Sequence, residues 1–276
     1  INLLEINRFI NGYLSSFDPN VSLQKLILAD YQYICKLVEY IDKYKSRVEL
    51  SSREKDIFLT LYAKLKNAEF IKDLDVKVCP YCNRNYILNF TKSNKQNATA
   101  QLDHFFDKKK YPYLAVSIYN LVPSCGTCNQ RKSTKQENIF HPYVESFNDS
   151  MSFKVKGIKT RDELISQDKD FFDETRIELE FYVKNNKSKV DKNIEVFNIE
   201  NIYNEHKDIV SELLQKRVIY SDDYIDDLLT DYEGKLFNNK EDLLRLITSG
   251  YINDEDIDKR PLSKLIKDIS EELELI

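Results

Sequence analysis

The sequence predicts an α+β protein, mainly helical, with a small β-containing core stapled by zinc. Three observations carry that prediction. Only five Gly and six Pro occur in 276 residues, too few for the many tight turns of an all-β chain. Long stretches near both ends repeat apolar residues at helical spacing, whereas residues 79–145 break the rhythm with short runs and Asn-rich turns. Four of the five cysteines form two C-x-x-C pairs inside that irregular middle, "CPYC" at 79–82 and "CGTC" at 125–128. The chain is therefore read as a helical region 1–78, a core 79–145 and a mainly helical region 146–276. Its length suffices for one large domain or two modest ones with a sizeable core.

Taken in order, apolar positions 23, 26/27, 34, 37/38 and 41 predict a helical run over 21–44. Cys35 falls among Ile34, Val38 and Ile41 and is expected to be a buried core thiol. Ser51 and Glu54 offer a capping box ahead of Ile57, Phe58 and Leu61. "TAQLDHFFD" and "YNLVPS" read as short strands, and "CNQRKSTKQ" as a helix start. "MSFKVKG" and "RIELEFYV" alternate as strands do, and residues 205–220 return to paired apolar positions at helical spacing. His206 in "NEHKDIV" is expected to face solvent. Asn239 can cap "KEDLLRLITSG", with Gly250 as the left-handed residue past its end.

The net charge of −5 conceals an asymmetry. Residues 79–135 hold nine Lys/Arg and two Asp, giving +7, so the remainder carries −12. A basic patch on an acidic body is the footprint of nucleic-acid binding. No stretch approaches the roughly 20 apolar residues of a membrane span. The first residues include Glu5 and Arg8 and lack a signal-peptide layout, while the start at Ile1 implies a trimmed chain. A cytoplasmic protein is expected. There, two C-x-x-C pairs separated by 42 residues read as a four-thiolate zinc site of Cys79, Cys82, Cys125 and Cys128.

Within the same segment, Asp103 and His104 are adjacent, Asn120 follows 16 residues after His104, and Asn129 nine residues later. Hydrolysing a phosphodiester with one divalent ion requires a base for water, hard oxygen ligands and nearby positive charge. His104 can be the base. Asp103 and the Asn129 amide oxygen suit Mg²⁺ or Mn²⁺, and Asn120 can hold the loop that carries His104. A zinc closed by four thiolates leaves no open position for chemistry and would contribute on the order of 10 kcal/mol to folding. Because Cys128 directly precedes Asn129, that zinc would also fix the start of the helix carrying Asn129.

Over residues 79–135 this arrangement resembles the HNH, or ββα-metal, endonuclease family. The resemblance implies that Asp103 and Asn129 ligate the catalytic ion, that His104 is the general base, and that Asn120 positions the loop. The last motif position is often His; the Asn here keeps an oxygen ligand. Lys132 occupies the basic position that follows it. Arg84, Arg131, Lys132 and the run Lys108, Lys109 and Lys110, with Tyr111 and Tyr113 behind it, are expected contacts to nucleic acid; a turn cap at Arg84 and a plain solvated lysine run at 108–110 are the alternatives. His141 is open between a substrate contact and a structural role. Together with "KRPLSKLIKDI" at 259–269, the core is similar to HNH nucleases of Septu-type and retron-associated anti-phage defence. That similarity implies an SMC- or ABC-like ATPase partner. The expected function is a metal-dependent DNA endonuclease; a ribonuclease with the same core, a non-catalytic zinc-stapled nucleic-acid-binding module and a C-x-x-C oxidoreductase are the alternatives. With its imidazole near the ordinary 6.5, the rate of such an enzyme would climb through that pH.

Overall fold

The computed structural model describes residues 3–135, 138–157 and 160–276, so Ile1, on which the expectation of a trimmed start falls, lies outside them. The chain forms two compact units. One comprises Ile1–Asp75, Asn89–Glu137 and His141–Glu145, the other Val76–Leu88, Asn138–Phe140 and Ser146–Ile276. The units interleave in sequence, so the three consecutive regions read from the sequence do not coincide with them.

The first unit opens with helices α1 (Leu3–Leu14), α2 (Leu23–Leu28), α3 (Tyr31–Lys43), α4 (Lys45–Val48), α5 (Ser52–Ala63) and α6 (Asn67–Leu74). Spacing by four residues places Ile6, Ile10 and Leu14 of α1 in the core. The single run expected over 21–44 is in fact two helices. Asp30 turns its carboxylate onto the Tyr33 amide at 2.7 Å, capping α3, while Ala29 leaves helical geometry with ψ 128°. A local side-chain acceptor of this kind competes with helix continuation. Cys35 is half-buried rather than buried, because its neighbour Ile34 takes the inward position. The Ser51–Glu54 capping box is present in both directions.

A hairpin of β1 (Asn89–Lys92) and β2 (Lys95–Ala98) follows, turning through Ser93 and Asn94 with φ of 51° and 60°. The two strands expected in the core are β3 (Gln101–His104) and β4 (Leu121–Ser124), paired antiparallel with Asp103 opposite Val122 and His104 opposite Leu121. Helix α7 (Gly126–Lys132) begins two residues after β4. Leu102 packs with Ile71 of α6 and Leu121 of β4. The strand–strand–helix order thus agrees with the one the sequence suggests.

The second unit contains α8 (Phe147–Ser150), β5 (Met151–Val155), α9 (Arg161–Ile165), β6 (Leu179–Val183), α10 (Lys187–Phe197), α11 (Ile199–Asn204), α12 (Lys207–Ile219), α13 (Asp222–Tyr232), α14 (Lys240–Thr248) and α15 (Ser263–Glu272). The alternating segments pair as expected, β5 antiparallel to β6. Two carboxylates of α15 accept backbone amides of β5: Asp268 from Phe153 at 2.9 Å and Glu272 from Val155 at 2.8 Å. Asn239 caps α14 as expected, accepting the Asp242 amide at 2.9 Å. Its far end differs, for Ser249, at φ 65°, takes the left-handed position and not Gly250. Glycine is needed one residue later for space, since a Cβ there would lie 2.7 Å from Ile266 Cγ2. Among the described residues no helix is long and apolar enough to cross a membrane.

Candidate metal centre and phosphodiester site

Residues Cys79 and Cys82 sit in a tight turn. The Cys79 carbonyl accepts the amides of Cys82 at 3.3 Å and Asn83 at 2.8 Å, and Asn83 adopts φ 44°. Asn83 in turn donates to the Ile257 carbonyl at 2.7 Å and accepts from the Lys264 amide at 3.0 Å, while the Tyr203 hydroxyl donates to the Cys82 carbonyl at 2.7 Å. Cys125 is the N-cap of α7, its sulfur receiving the Cys128 amide at 3.5 Å. The four sulfurs lie within 4.8 Å of one another and all four residues are buried. A tetrahedral zinc with Zn–S bonds of about 2.3 Å sets its sulfurs about 3.8 Å apart, so the cluster fits that ion. A closed, soft, buried donor set of this kind suits a structural metal.

On β3, Asp103 and His104 point to opposite faces by the pleat. Asp103, 3 % exposed, meets the ammonium of Lys132 at 3.0 Å. Lys132 is fully buried and also donates to the carbonyls of His104 at 2.9 Å and Phe105 at 3.0 Å. This corrects the reading of Lys132 as a contact to nucleic acid: its three hydrogens are spent inside the fold, holding the strand end. Asn129, one turn earlier on α7, donates from its side-chain amide to Gln101 Oε1 at 2.7 Å. Gln101 and Asp103 share a strand face, so Asn129 and Lys132 both address that face. A carboxylate and an amide oxygen are donor types that hard cations take, and here the Lys132 ammonium lies 3.3 Å and 3.0 Å from the two carboxylate oxygens of Asp103.

His104 Nε2 lies 3.0 Å from the Ala115 carbonyl. A carbonyl only accepts, so Nε2 carries the hydrogen and the lone pair is on Nδ1. The ring packs edge-on against Tyr62, with centroids 4.5 Å apart, and the Lys108 ammonium sits 4.2 Å over the other ring. Burial pushes the His104 pKa down to about 4, opposed by the Ala115 hydrogen bond. With that shift the imidazole is neutral well below pH 6. Asn120 is fully buried and closes the connecting loop on itself. It accepts the Phe106 amide at 2.7 Å and donates to the carbonyls of Phe106 at 3.1 Å and Leu114 at 2.9 Å.

Other expected residues fall elsewhere. Tyr111 and Tyr113 are 1 % exposed, buried rather than displayed to bases. Lys109 and Lys110 are exposed, Lys108, Arg131 and Arg84 half-buried. The Arg84 Nε is enclosed without a hydrogen bond among the described residues. His141 is structural: Nε2 donates to the Tyr119 carbonyl at 2.8 Å and Nδ1 accepts the Tyr143 amide at 3.4 Å. His206 does not face solvent; it is half-buried at the start of α12, and burial lowers its pKa. Tyr62 and Gln101 were not expected at the site, Tyr62 being read only as an apolar position of the helix after Ser51. Gln101 was detectable, two residues before Asp103 on a strand, whereas Tyr62 carries no local signal.

No family model matches the chain, and no solved structure matches it. Over 71 residues the chain is 34 % identical to the Septu protein PtuB of Bacillus thuringiensis. That similarity spans 25 % of this chain and 25 % of the relative's length.

Proposed function

We propose that the chain is a metal-dependent HNH-type endonuclease that hydrolyses phosphodiester bonds of DNA in anti-phage defence. The observation that carries the reading is the His104–Ala115 hydrogen bond, which fixes a neutral imidazole with its lone pair on Nδ1, free to accept a proton. The motif order and the partial similarity to a Septu protein support the defence setting. The same resemblance implies an ATPase partner, and reduced thiolates on a structural zinc imply a cytoplasmic setting.

His104 takes a proton from water at Nδ1 as that water attacks phosphorus and the bond to the 3′-oxygen breaks. Lys132 holds Asp103 and the strand end in place. Asn120 keeps the loop from drifting, since a displacement of about 1 Å at a base is worth roughly 10²-fold in rate. When bound between Asp103 and Asn129, Mg²⁺ or Mn²⁺ would supply charge for the developing phosphorane oxygens. The test is incubation of the purified full chain with plasmid DNA and with RNA, with each metal. His104→Ala should lower cleavage by roughly 10²–10⁴-fold while zinc content is retained. Normal cutting by His104→Ala, or cleavage of RNA alone, would remove the reading.

A further inference from the structure

Three consecutive lysines leave the His104 loop in two directions. Lys108 lies over Tyr62, the ring that packs on His104. Lys109 and Lys110 instead line a cavity of ≈ 180 Å³ whose other wall is the α3–α5 corner, bringing Lys45 and Lys55. At about 30 Å³ per water, that volume accommodates a phosphate with part of its hydration shell. The walls are held rigidly. The Tyr113 hydroxyl donates to the Val48 carbonyl at 3.0 Å and its ring meets Phe58 at 5.5 Å. The Tyr111 hydroxyl donates to Asp42 at 2.9 Å, and the same carboxylate pairs with Lys110 at 3.2 Å.

The charges in this cavity do not balance. Of its four lysines, Lys110 is held by Asp42 at 3.2 Å and Lys55 lies 3.7 Å from Glu49, the one carboxylate in the lining. Lys45 and Lys109 have no carboxylate partner among the described residues. Like charges gathered in a fixed, partly enclosed wall repel one another, and an anion with several oxygens relieves that repulsion. The region supplying Lys45 and Lys55 is not part of the acidic excess. Residues 1–78 hold twelve Lys/Arg and eleven Asp/Glu, a balance of +1, whereas residues 136–276 hold twenty and thirty-three, a balance of −13.

We infer that this cavity, walled in part by the loop that follows His104, is a phosphate site that grips the polynucleotide backbone. The first helices thereby form part of the nucleic-acid surface. The inference rests on the nuclease reading for the identity of the polymer, but its test measures binding and not cleavage.

The full-length chain is titrated into a fluorescein-labelled DNA duplex without added divalent metal, over a series of salt concentrations. Lys45→Gln/Lys55→Gln should bind roughly tenfold more weakly at low salt, with the log–log salt slope smaller by about one to two. Lys45 is exposed and Lys55 half-buried, and an unchanged melting temperature confirms the fold. Unchanged affinity and slope in the lysine variant would overturn the inference. Stabilisation of the wild type by inorganic phosphate, lost in the variant while duplex binding is untouched, would assign the cavity to free phosphate and overturn the polynucleotide source. A wild type that binds with the expected slope yet cuts nothing would sink the nuclease reading and leave this site standing.

Discussion

Lys132 shows how a basic residue in a nucleic-acid motif can be committed inward. Its ammonium satisfies one carboxylate and two carbonyls in a fully buried position. Removing one partner of a buried ion pair leaves the other charge uncompensated, at a cost of about 3–5 kcal/mol. Lys132→Met should therefore lower the urea midpoint strongly, and adding Asp103→Asn to it should recover part of the loss. Strictly additive losses would show that the two side chains do not act as a pair. His141 gives a pH signature of a different kind. Burial lowers its folded pKa to about 4 from an ordinary value near 6.5, so the native state favours the neutral ring. The associated stability is fully present above about pH 6.5 and is lost as pH falls toward 4, where the unfolded chain binds the proton first. The loss is on the order of 3 kcal/mol at the acid end. Replacing the ring with His141→Phe should flatten the dependence of stability on pH between 6.5 and 4, and an equally steep dependence would refute the assignment.

At the scale of elements, what the sequence disclosed follows from how local each signal is. The Ser51 box and the Asn239 cap are contacts over three residues, and both are visible in the letters themselves. β3 and β4 were legible because apolar residues bracket the Asp–His pair. The β1–β2 hairpin was not, since "NFTK" and "KQNA" are nearly all polar and none of their residues is buried. Its only signal was the Ser93–Asn94 pair in left-handed geometry. Asp30 was hidden inside an apolar rhythm that survives the break between α2 and α3. In the site, the residue types were legible and their directions were not, because burial of Lys132 and exposure of Lys109 are decided by tertiary packing. Gly250 was seen as a helix stop, yet its role is steric. A Cβ there would also approach Ile266 Cδ1 at 2.9 Å and Cβ at 3.0 Å, so Gly250→Ala should destabilise by about 1–3 kcal/mol in a thermal or denaturant melt. A neutral effect would mean that α15 shifts freely. For the cysteine cluster, mass spectrometry should find one zinc per chain that survives mild EDTA. Cys128→Ser should lose it with much of the melting temperature, whereas Asn129→Ala should keep it. Loss of zinc from Asn129→Ala would merge the two sites into one.

For the whole molecule, the interleaving of the two units in sequence matters as much as the distribution of charge along the chain. Sequence separation is large where the cysteine turn is held: the Tyr203–Cys82, Asn83–Ile257 and Lys264–Asn83 bonds join residues 121, 174 and 181 apart. Such distant pairings slow folding, because the chain between must be ordered first. They also impose an order on synthesis. At roughly 5–20 residues per second, the ribosome releases Cys79 and Cys82 many seconds before the side chains that enclose their turn exist. Nascent chains arrested ahead of residue 203 should thus react with a thiol-alkylating reagent at Cys82, and released full-length chains should resist it. The window between those two states is when an oxidant or a wrong soft metal can capture the pair, so the burial that protects the thiolates in the finished protein makes their translation the vulnerable moment.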